Sequence, residues 1–187
     1  MSTLADRMPP IPPSAWTPEQ RTCAEEIIAG PRGGVISPFV PMLRSPEFCT
    51  HAQRLGEYLR YRSAIGFRLS ELAILVTAQH WQQQVEWAIH APIAMKAGVA
   101  AATVDAIAAG EVPTLEAEDE RVVFAFARQT LRHRRVDDPT WARAVALFGE
   151  QGVVDLMGVV GYYTMLSFIM NGAQTQPPPE CGMRLPG

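Results

Sequence analysis

Apolar side chains recur along this chain at the three- and four-residue spacing of an amphipathic helix. One such stripe lies in residues 46–59 and consists of Phe48, Ala52, Leu55 and Leu59. No stretch alternates apolar and polar residues for long enough to build a sheet. The pattern therefore predicts an all-α protein.

Turn and capping residues divide this pattern into separate helices. A hydroxyl residue followed by proline is a helix start signal, and it occurs at Thr17-Pro18 and at Ser45-Pro46. Ser70 is expected to cap a helix that begins with Glu71, and a break is expected at Trp81-Gln82. The first predicted helix covers 18–29, and two more begin at residues 46 and 71. The next carries Glu86 and His90 and ends at Gly98. Further helices are predicted at 101–109, 115–132, 138–148 and 153–170, and 31–41 is predicted to be a loop.

The last predicted helix, residues 153–170, is apolar almost all round. Its length approaches that of a membrane span, but Asp155 and two tyrosines dilute it, and no basic flank accompanies it. A helix that is apolar on every side must be buried, and in a chain this small that indicates burial against another subunit. We therefore predict a homo-oligomer that does not enter a membrane.

The length and composition fit one ordinary globular domain. The chain has 187 residues, of which 48% are hydrophobic and 19% charged, and a formal net charge of −3. That charge gives no general attraction to nucleic acid, and the basic run 132–135 is interpreted as a solvated helix end. No apolar signal-peptide core occurs near the start, so a cytoplasmic location is expected. We divide the chain into a proline-rich arm (1–18), one helical domain (19–172) and a tail (173–187).

The residues with catalytic potential concentrate between Glu71 and His90. Glu86 and His90 are four residues apart, so on a helix they share a face, and Gln83 falls on the same face. Ionisable groups among apolar neighbours are costly unless they are paired, and burial shifts their pKa values toward the range useful for proton transfer. The spacing fits either an acid–base site or a buried ion pair that braces two helices.

This segment resembles the signature of the carboxymuconolactone decarboxylase-like superfamily, which also contains alkylhydroperoxidase D. In the peroxidase branch a helix-borne glutamate precedes a Cys-x-x-Cys pair, and a histidine follows four residues after the second cysteine. Those positions correspond here to Glu71, Gln83, Glu86 and His90. The decarboxylase branch has a carboxylate-x-x-x-His motif before an alanine-rich helix and a glycine, which is matched by Glu86, His90, Ala91, Ala94 and Gly98. The similarity extends more loosely over residues 17–172.

The resemblance implies an alkylhydroperoxidase D-like helical bundle, assembled as a trimer or hexamer, that works without a cofactor. It also implies decarboxylation of a small carboxylated lactone or a related intermediate of aromatic-compound degradation. In such a reaction electrons from the carboxylate flow into a conjugated carbonyl, and a proton is delivered to carbon. His90 suits proton delivery, Glu86 can orient the imidazole or shuttle the proton, and Glu71 is a candidate second carboxylate.

A substrate carboxylate needs partners, and arginine suits it because the guanidinium offers paired N–H donors. The candidate substrate-binding residues are His80, Trp81, Gln83, Arg60 and Arg32. Of these, His80 and Trp81 lie at the expected helix break and could face the same pocket. Tyr162 and Tyr163 could place a hydroxyl there, or they could pack in the core.

The cysteines argue against peroxidase chemistry. Cys23, Cys49 and Cys181 are far apart in the sequence and odd in number, so they are expected to be reduced thiols. None of them occupies the positions of Gln83 and Glu86, where the peroxidase branch has its redox pair. Thiol-dependent hydroperoxide reduction is therefore not expected.

A metal site is not expected either. Glu71, His80, Glu86 and His90 could in principle combine as ligands. However, Glu-x-x-x-His is not the zinc signature HExxH, in which two histidines lie four apart.

Two other functions stay open beside decarboxylation. The same acid–base residues could serve an isomerase or a hydrolase, and the chain could also be a non-catalytic binding or assembly protein that lost the peroxidase cysteines. The sequence does not identify the substrate.

Overall fold

The computed structural model describes residues 5–177 and 182–186, and that part of the chain is helical without any strand. A short 3₁₀ turn, Pro13–Ala15, precedes eight α-helices. The helices are α1 Pro18–Ala29, α2 Phe39–Met42, α3 Pro46–Tyr61, α4 Phe67–His80, α5 Gln84–Lys96, α6 Ala101–Ala108, α7 Glu118–His133 and α8 Asp138–Ala173. The all-α prediction is confirmed.

Helix α4 is the centre of the fold. It packs against α5, α7 and α8, and more lightly against α3 and α6. Ten consecutive residues, 69–78, are buried, because this helix is apolar on nearly every side and has neighbours all round. Helix α3 in turn packs on α1 and α8. A side chain that projects from α4 toward α5 therefore lies deep in the interior.

Several predicted boundaries agree with the structure. Thr17 caps α1 in a capping box with Gln20, and Pro18 occupies the first turn. The break between α4 and α5 falls at residues 81–83, where Gln82 adopts a left-handed φ of 50°. The two last predicted helices are segments of α8, which bends at Gly149 (φ 66°).

The predicted N-cap at Ser70 is wrong. Helix α4 begins one turn earlier, at Phe67, after Gly66, whose φ of 80° belongs to the left-handed region that favours glycine. Ser70 lies inside the helix, where its hydroxyl hydrogen-bonds that of Ser63 at 2.9 Å. Glu71 consequently sits in the second turn rather than the first, and it is fully buried.

Two further sequence predictions need correction. The segment 31–41 is not a loop throughout, because α2 begins at Phe39, where apolar side chains reach the core. The stripe on α3 is only half buried: Ala52 and Leu59 face the core, whereas Phe48 and Leu55 are 42% and 49% exposed. The helix instead turns a face with Cys49, Gln53 and Gly56 inward.

The described parts of both chain ends lie on the helical body. The Arg7 backbone N–H donates to the Ala173 carbonyl at the end of α8, at 2.8 Å. In the tail, the backbone N–H of Leu185 donates to the side-chain oxygen of Gln84 at 3.0 Å, and the Leu185 side chain is buried. The prediction for Cys181 falls outside the described residues.

Helix α8 is, within the described residues, the one helix long and apolar enough to cross a membrane by length and composition. Just over half (56%) of its most apolar window is buried inside the chain. The core helices of soluble proteins meet the same criteria.

Candidate functional site

The three predicted catalytic residues meet between α4 and α5. The tight connection at residues 81–83 folds α5 back along α4, so Glu71 on α4 faces His90 on α5. Glu86 lies one helical turn before His90 on the same face. All three side chains are buried. The spacing read from the sequence thus corresponds to one cluster in space.

The His90 imidazole lies between two carboxylates. Its Nδ1 is 2.6 Å from Glu71 Oε2, and its Nε2 is 3.2 Å from Glu86 Oε2. The other oxygen of Glu71 accepts a hydrogen bond from Arg60 Nε at 3.0 Å. Arg60, Glu71, His90 and Glu86 therefore form a continuous chain of charged groups. The carboxylate on Nδ1 also fixes the orientation of the ring.

The surroundings favour the charged form of each member of the central pair. Burial alone would lower the pKa of His90, but Glu71 and Glu86 outweigh burial and raise that pKa to about 9. Burial alone would raise the pKa of Glu71, but His90 and Arg60 hold it below its usual range. At neutral pH His90 is therefore an imidazolium, which makes it a proton donor.

A small pocket lies beside this cluster. Its wall includes His90 and Glu86 from α5, Tyr162 and Tyr163 from α8, and the segment 36–39. The cavity volume is about 30 Å³, which is room for about two water molecules. A lactone would fit only if this pocket widened.

Both predicted arginines reach this pocket. Arg60 lines it while it holds Glu71, and Arg32 enters from the segment before α2. Arg32 donates to the side-chain and backbone oxygens of Gln53 at 3.2 and 3.1 Å, and it stacks on Phe39. It forms no salt bridge with a carboxylate of the described chain. Its charge is therefore uncompensated at the pocket.

The pocket has a surplus of positive charge. The charged groups around it are Arg32, Arg60, His90, Glu71 and Glu86. With the histidine protonated, three positive charges face two negative ones. A low-dielectric site with one unbalanced cation attracts an anion, and a single carboxylate would neutralise it.

Two buried oxygens at this pocket lack a hydrogen-bond partner among the described residues. They are Glu86 Oε1 and the Tyr162 hydroxyl. An unpaired buried polar atom costs free energy, so each is a candidate to bind water or ligand. The Tyr162 ring also packs tightly on Gly56 of α3. The Tyr163 ring meets the His90 ring edge-on, with centroids 5.2 Å apart.

The structure does not bring the other three predicted binding residues to this pocket. His80, at the end of α4, lies against α7, where burial and the Arg132 guanidinium lower its pKa. Trp81 donates from Nε1 to the Thr164 hydroxyl at 3.2 Å. Gln83 caps α5 by accepting from the backbone of Val85. All three residues lie at the break between α4 and α5, and none of them lines the pocket.

The segment 36–39 is the part of the pocket that residue-by-residue reasoning missed. Ser37, Pro38 and Phe39 line the wall, although they carry no titratable group that would mark them in a sequence. They fall within residues 17–172, over which the chain loosely resembles the superfamily, but that resemblance did not specify a role for them.

The fold brings Cys23 and Cys49 together in the interior as free thiols. Burial, and then the neighbouring Cys23, raise the pKa of the Cys49 thiol well above its ordinary value. A thiol of this kind is a poor nucleophile because the thiolate is scarce. Within the described residues, no group of three or more His, Cys, Asp or Glu side chains is arranged to hold a metal ion.

The chain matches no protein-family model, and it has no significant match among curated proteins or solved structures. The resemblance to the carboxymuconolactone decarboxylase-like superfamily therefore stays a prediction from the sequence. The site has to be interpreted from its own geometry.

Proposed function

We propose that this protein is a cofactor-independent carboxy-lyase of the carboxymuconolactone decarboxylase type. Its substrate would be a small carboxylated lactone or a related intermediate of aromatic-compound degradation. The observation that carries the proposal is the placement of the buried His90 side chain between two carboxylates, beside a pocket that two arginines line. Decarboxylation needs an anion-binding site and a proton donor close together.

The arginines would hold the substrate carboxylate. Arg32 forms no ion pair within the described chain, so its guanidinium can bind a carboxylate through paired N–H donors. Arg60 already holds Glu71 and adds a second positive charge at the same wall. The substrate carboxylate would displace water from the pocket, and the arginines would balance its charge.

The reaction would follow from this arrangement. The bond between the substrate carbon and its carboxylate breaks, carbon dioxide leaves, and the electron pair enters the conjugated carbonyl to form a dienolate. His90 then donates a proton to carbon, either directly or through Glu86, and it regains a proton from solvent. Glu71 on Nδ1 stabilises the imidazolium before transfer and keeps the ring in place.

Binding of a lactone would require this small pocket of about 30 Å³ to widen. Residues 36–38 of its wall precede α2, and Ile36 is on the surface. Movement of such a segment would also be a way to exclude water during the reaction.

Assembly into a homo-oligomer, a trimer or a hexamer, is part of the same proposal. Helix α8 presents an apolar outer face with Val154, Met157 and Phe168, of which Val154 and Phe168 are 61% and 68% exposed. Exposed apolar side chains on one helix are typical of a protein–protein contact. The proposal also includes a cytoplasmic location, a small-molecule substrate and no nucleic-acid partner.

Isomerisation or hydrolysis on the same scaffold is the alternative, as is a binding protein without catalysis. Only decarboxylation releases carbon dioxide. We therefore expect a panel of carboxylated lactones to include at least one from which the wild type releases carbon dioxide stoichiometrically with substrate loss. The Glu86→Gln variant, which keeps the shape of the side chain, should be slower by about tenfold or more. Substrate loss without carbon dioxide would contradict the proposal in favour of the first alternative, and binding without turnover would favour the second.

A further inference from the structure

A groove runs along the outer side of α7, on the part of the molecule that the proposed reaction does not use. The connection between α6 and α7 lies beside α7, and the groove between them has a volume of about 490 Å³. That volume falls within the range of about 300–1,000 Å³ that is usual for small-molecule sites. None of its residues lines the pocket at His90.

The floor of this groove is apolar. Val112, Pro113 and Leu115 from the connection face Phe124 and Ala125 of α7. Val112 is 62% exposed, so its side chain stands open to solvent instead of packing in the core. An exposed apolar floor inside a groove gains free energy when a ligand covers it.

The rim of the groove is cationic. Arg121, Arg128, Arg132 and His133 line it. The first three residues lie at spacings of seven and four on α7, which places them along one face of the helix. Within the described residues, none of these arginines forms a salt bridge with a carboxylate. Arg128 and Arg132 also donate no hydrogen bond there, whereas Arg121 donates to the carbonyls of Leu115 and Glu116.

Nearby carboxylates are bound elsewhere. In the first turn of α7, Glu118 pairs with Arg143, and Asp119 and Glu120 pair with Arg68. Asp137, beyond the end of α7, accepts from Gln129 and Thr140. Gln129 and Thr140 are neutral, so these hydrogen bonds do not balance the charge of Asp137, and Asp137 and Asp138 line an open pocket together with Arg132 and His133. Within the described residues, however, no carboxylate forms a salt bridge with Arg121, Arg128 or Arg132.

The groove continues inward. A smaller cavity of about 20 Å³ shares Phe124, Arg128 and Arg132 with it and reaches His80 and Glu111. Glu111 is the acidic group that lines this inner part, beside the two arginines that have unused donors, Arg128 and Arg132.

We infer that this groove is a binding site for an amphipathic anion, a carboxylate joined to an apolar body. The apolar body would cover the floor at Val112 and Phe124, and the carboxylate would bind Arg128 and Arg132. A phosphate-rich polymer fits less well, because the groove offers an apolar floor rather than a track of cations with stacked aromatic rings. The site is independent of the proposed decarboxylation.

Calorimetric titration with naphthalene-2-carboxylate tests this inference, with the uncharged 2-naphthylmethanol as the matched ligand. The full-length wild type should give a saturable isotherm with the carboxylate and bind the alcohol at least about tenfold more weakly, since a hydrogen bond to a charged group is worth about a factor of ten. The double variant Arg128→Gln/Arg132→Gln should bind the carboxylate more weakly than the wild type, by about tenfold or more. Arg134→Gln/Arg135→Gln removes the same charge from outside the groove and should bind as the wild type does.

A second variant distinguishes loss of the binding site from misfolding. Val112→Asp changes an exposed side chain on the floor and keeps every arginine. It should weaken binding of the carboxylate by about tenfold or more through charge repulsion and lost apolar contact. Thermal unfolding of each variant checks its fold. The inference is wrong if the carboxylate does not saturate, if the alcohol binds equally well, or if the groove variants bind as tightly as the Arg134/Arg135 control. It is also wrong if both arginine pairs weaken binding equally.

Discussion

At the residue scale, His90 determines what the site can do. Glu71 and Glu86 flank the two ring nitrogens at 2.6 and 3.2 Å, and Arg60 balances Glu71 from behind. The i, i+4 spacing of Glu86 and His90 was readable from the sequence because it depends only on helix geometry. The contact between Glu71 and His90 was suggested by resemblance alone, since no local rule specifies which helices pack together.

The raised pKa of His90 predicts how stability depends on pH. An unfolded histidine has a pKa of about 6.5, and folding raises the pKa of His90 to about 9. The folded state therefore binds this proton more tightly, so the stabilisation is complete below pH 6.5 and is lost as pH rises through about 9. The melting temperature of the wild type should fall across that window in calorimetric scans.

The matched variant is His90→Gln, which cannot titrate. Its melting temperature should depend less on pH between 6.5 and 9 than that of the wild type. Equal slopes for the two proteins would show that His90 is not the group that titrates.

At the element scale, the residue-plus-proline start signals were more reliable than a single hydroxyl residue or an apolar stripe. Helices α1 and α3 begin at the predicted Thr17-Pro18 and Ser45-Pro46, although only Thr17 caps its helix through a side-chain hydrogen bond. The predicted cap at Ser70 is wrong, because α4 begins earlier, directly after Gly66 with its left-handed backbone. Phe48 and Leu55 share helical spacing with Leu59 but stay exposed in this chain, because a periodic stripe does not specify how far the core reaches.

A close approach between α3 and α8 gives a prediction at this scale. A methyl group at Gly56 would overlap the phenol of Tyr162, which lines the candidate pocket. Gly56→Ala should therefore reduce the free energy of unfolding by about 1–3 kcal/mol, the usual cost of overpacking. Denaturant titration measures the change. Gly172→Ala, where a methyl group meets nothing within 4 Å, is the control and should not lose stability; equal losses would contradict this packing account.

At the scale of the whole molecule, long-range packing assembles what the sequence leaves dispersed. Arg32, Arg60 and Tyr163 come from three parts of the chain and meet at one pocket. Arginine chemistry and a place near segments that resemble the superfamily made the first two candidates, and the fold brings both to the pocket. The same packing removes His80 from the site and leaves it beside the groove along α7.

The outer face of α8 predicts the assembly state. Light scattering of the wild type at micromolar concentration should give three or six times the subunit mass. Phe168→Glu places a charge on this face and should lower the mass toward that of a monomer, whereas Val112→Glu, an equally exposed change on the α6–α7 connection, should not. A monomeric wild type, or a Phe168→Glu variant that assembles normally, would contradict the prediction.

The central claim is that the Glu71–His90–Glu86 cluster performs acid–base chemistry rather than only bracing α4 against α5. The most direct test is the turnover of His90→Ala on a lactone that the wild type decarboxylates, expressed per folded molecule as determined by thermal unfolding. We expect a loss of about 10²-fold or more, the scale of a missing general acid. If His90→Ala melts early but its folded fraction turns over at the wild-type rate, the cluster is structural and the claim is wrong.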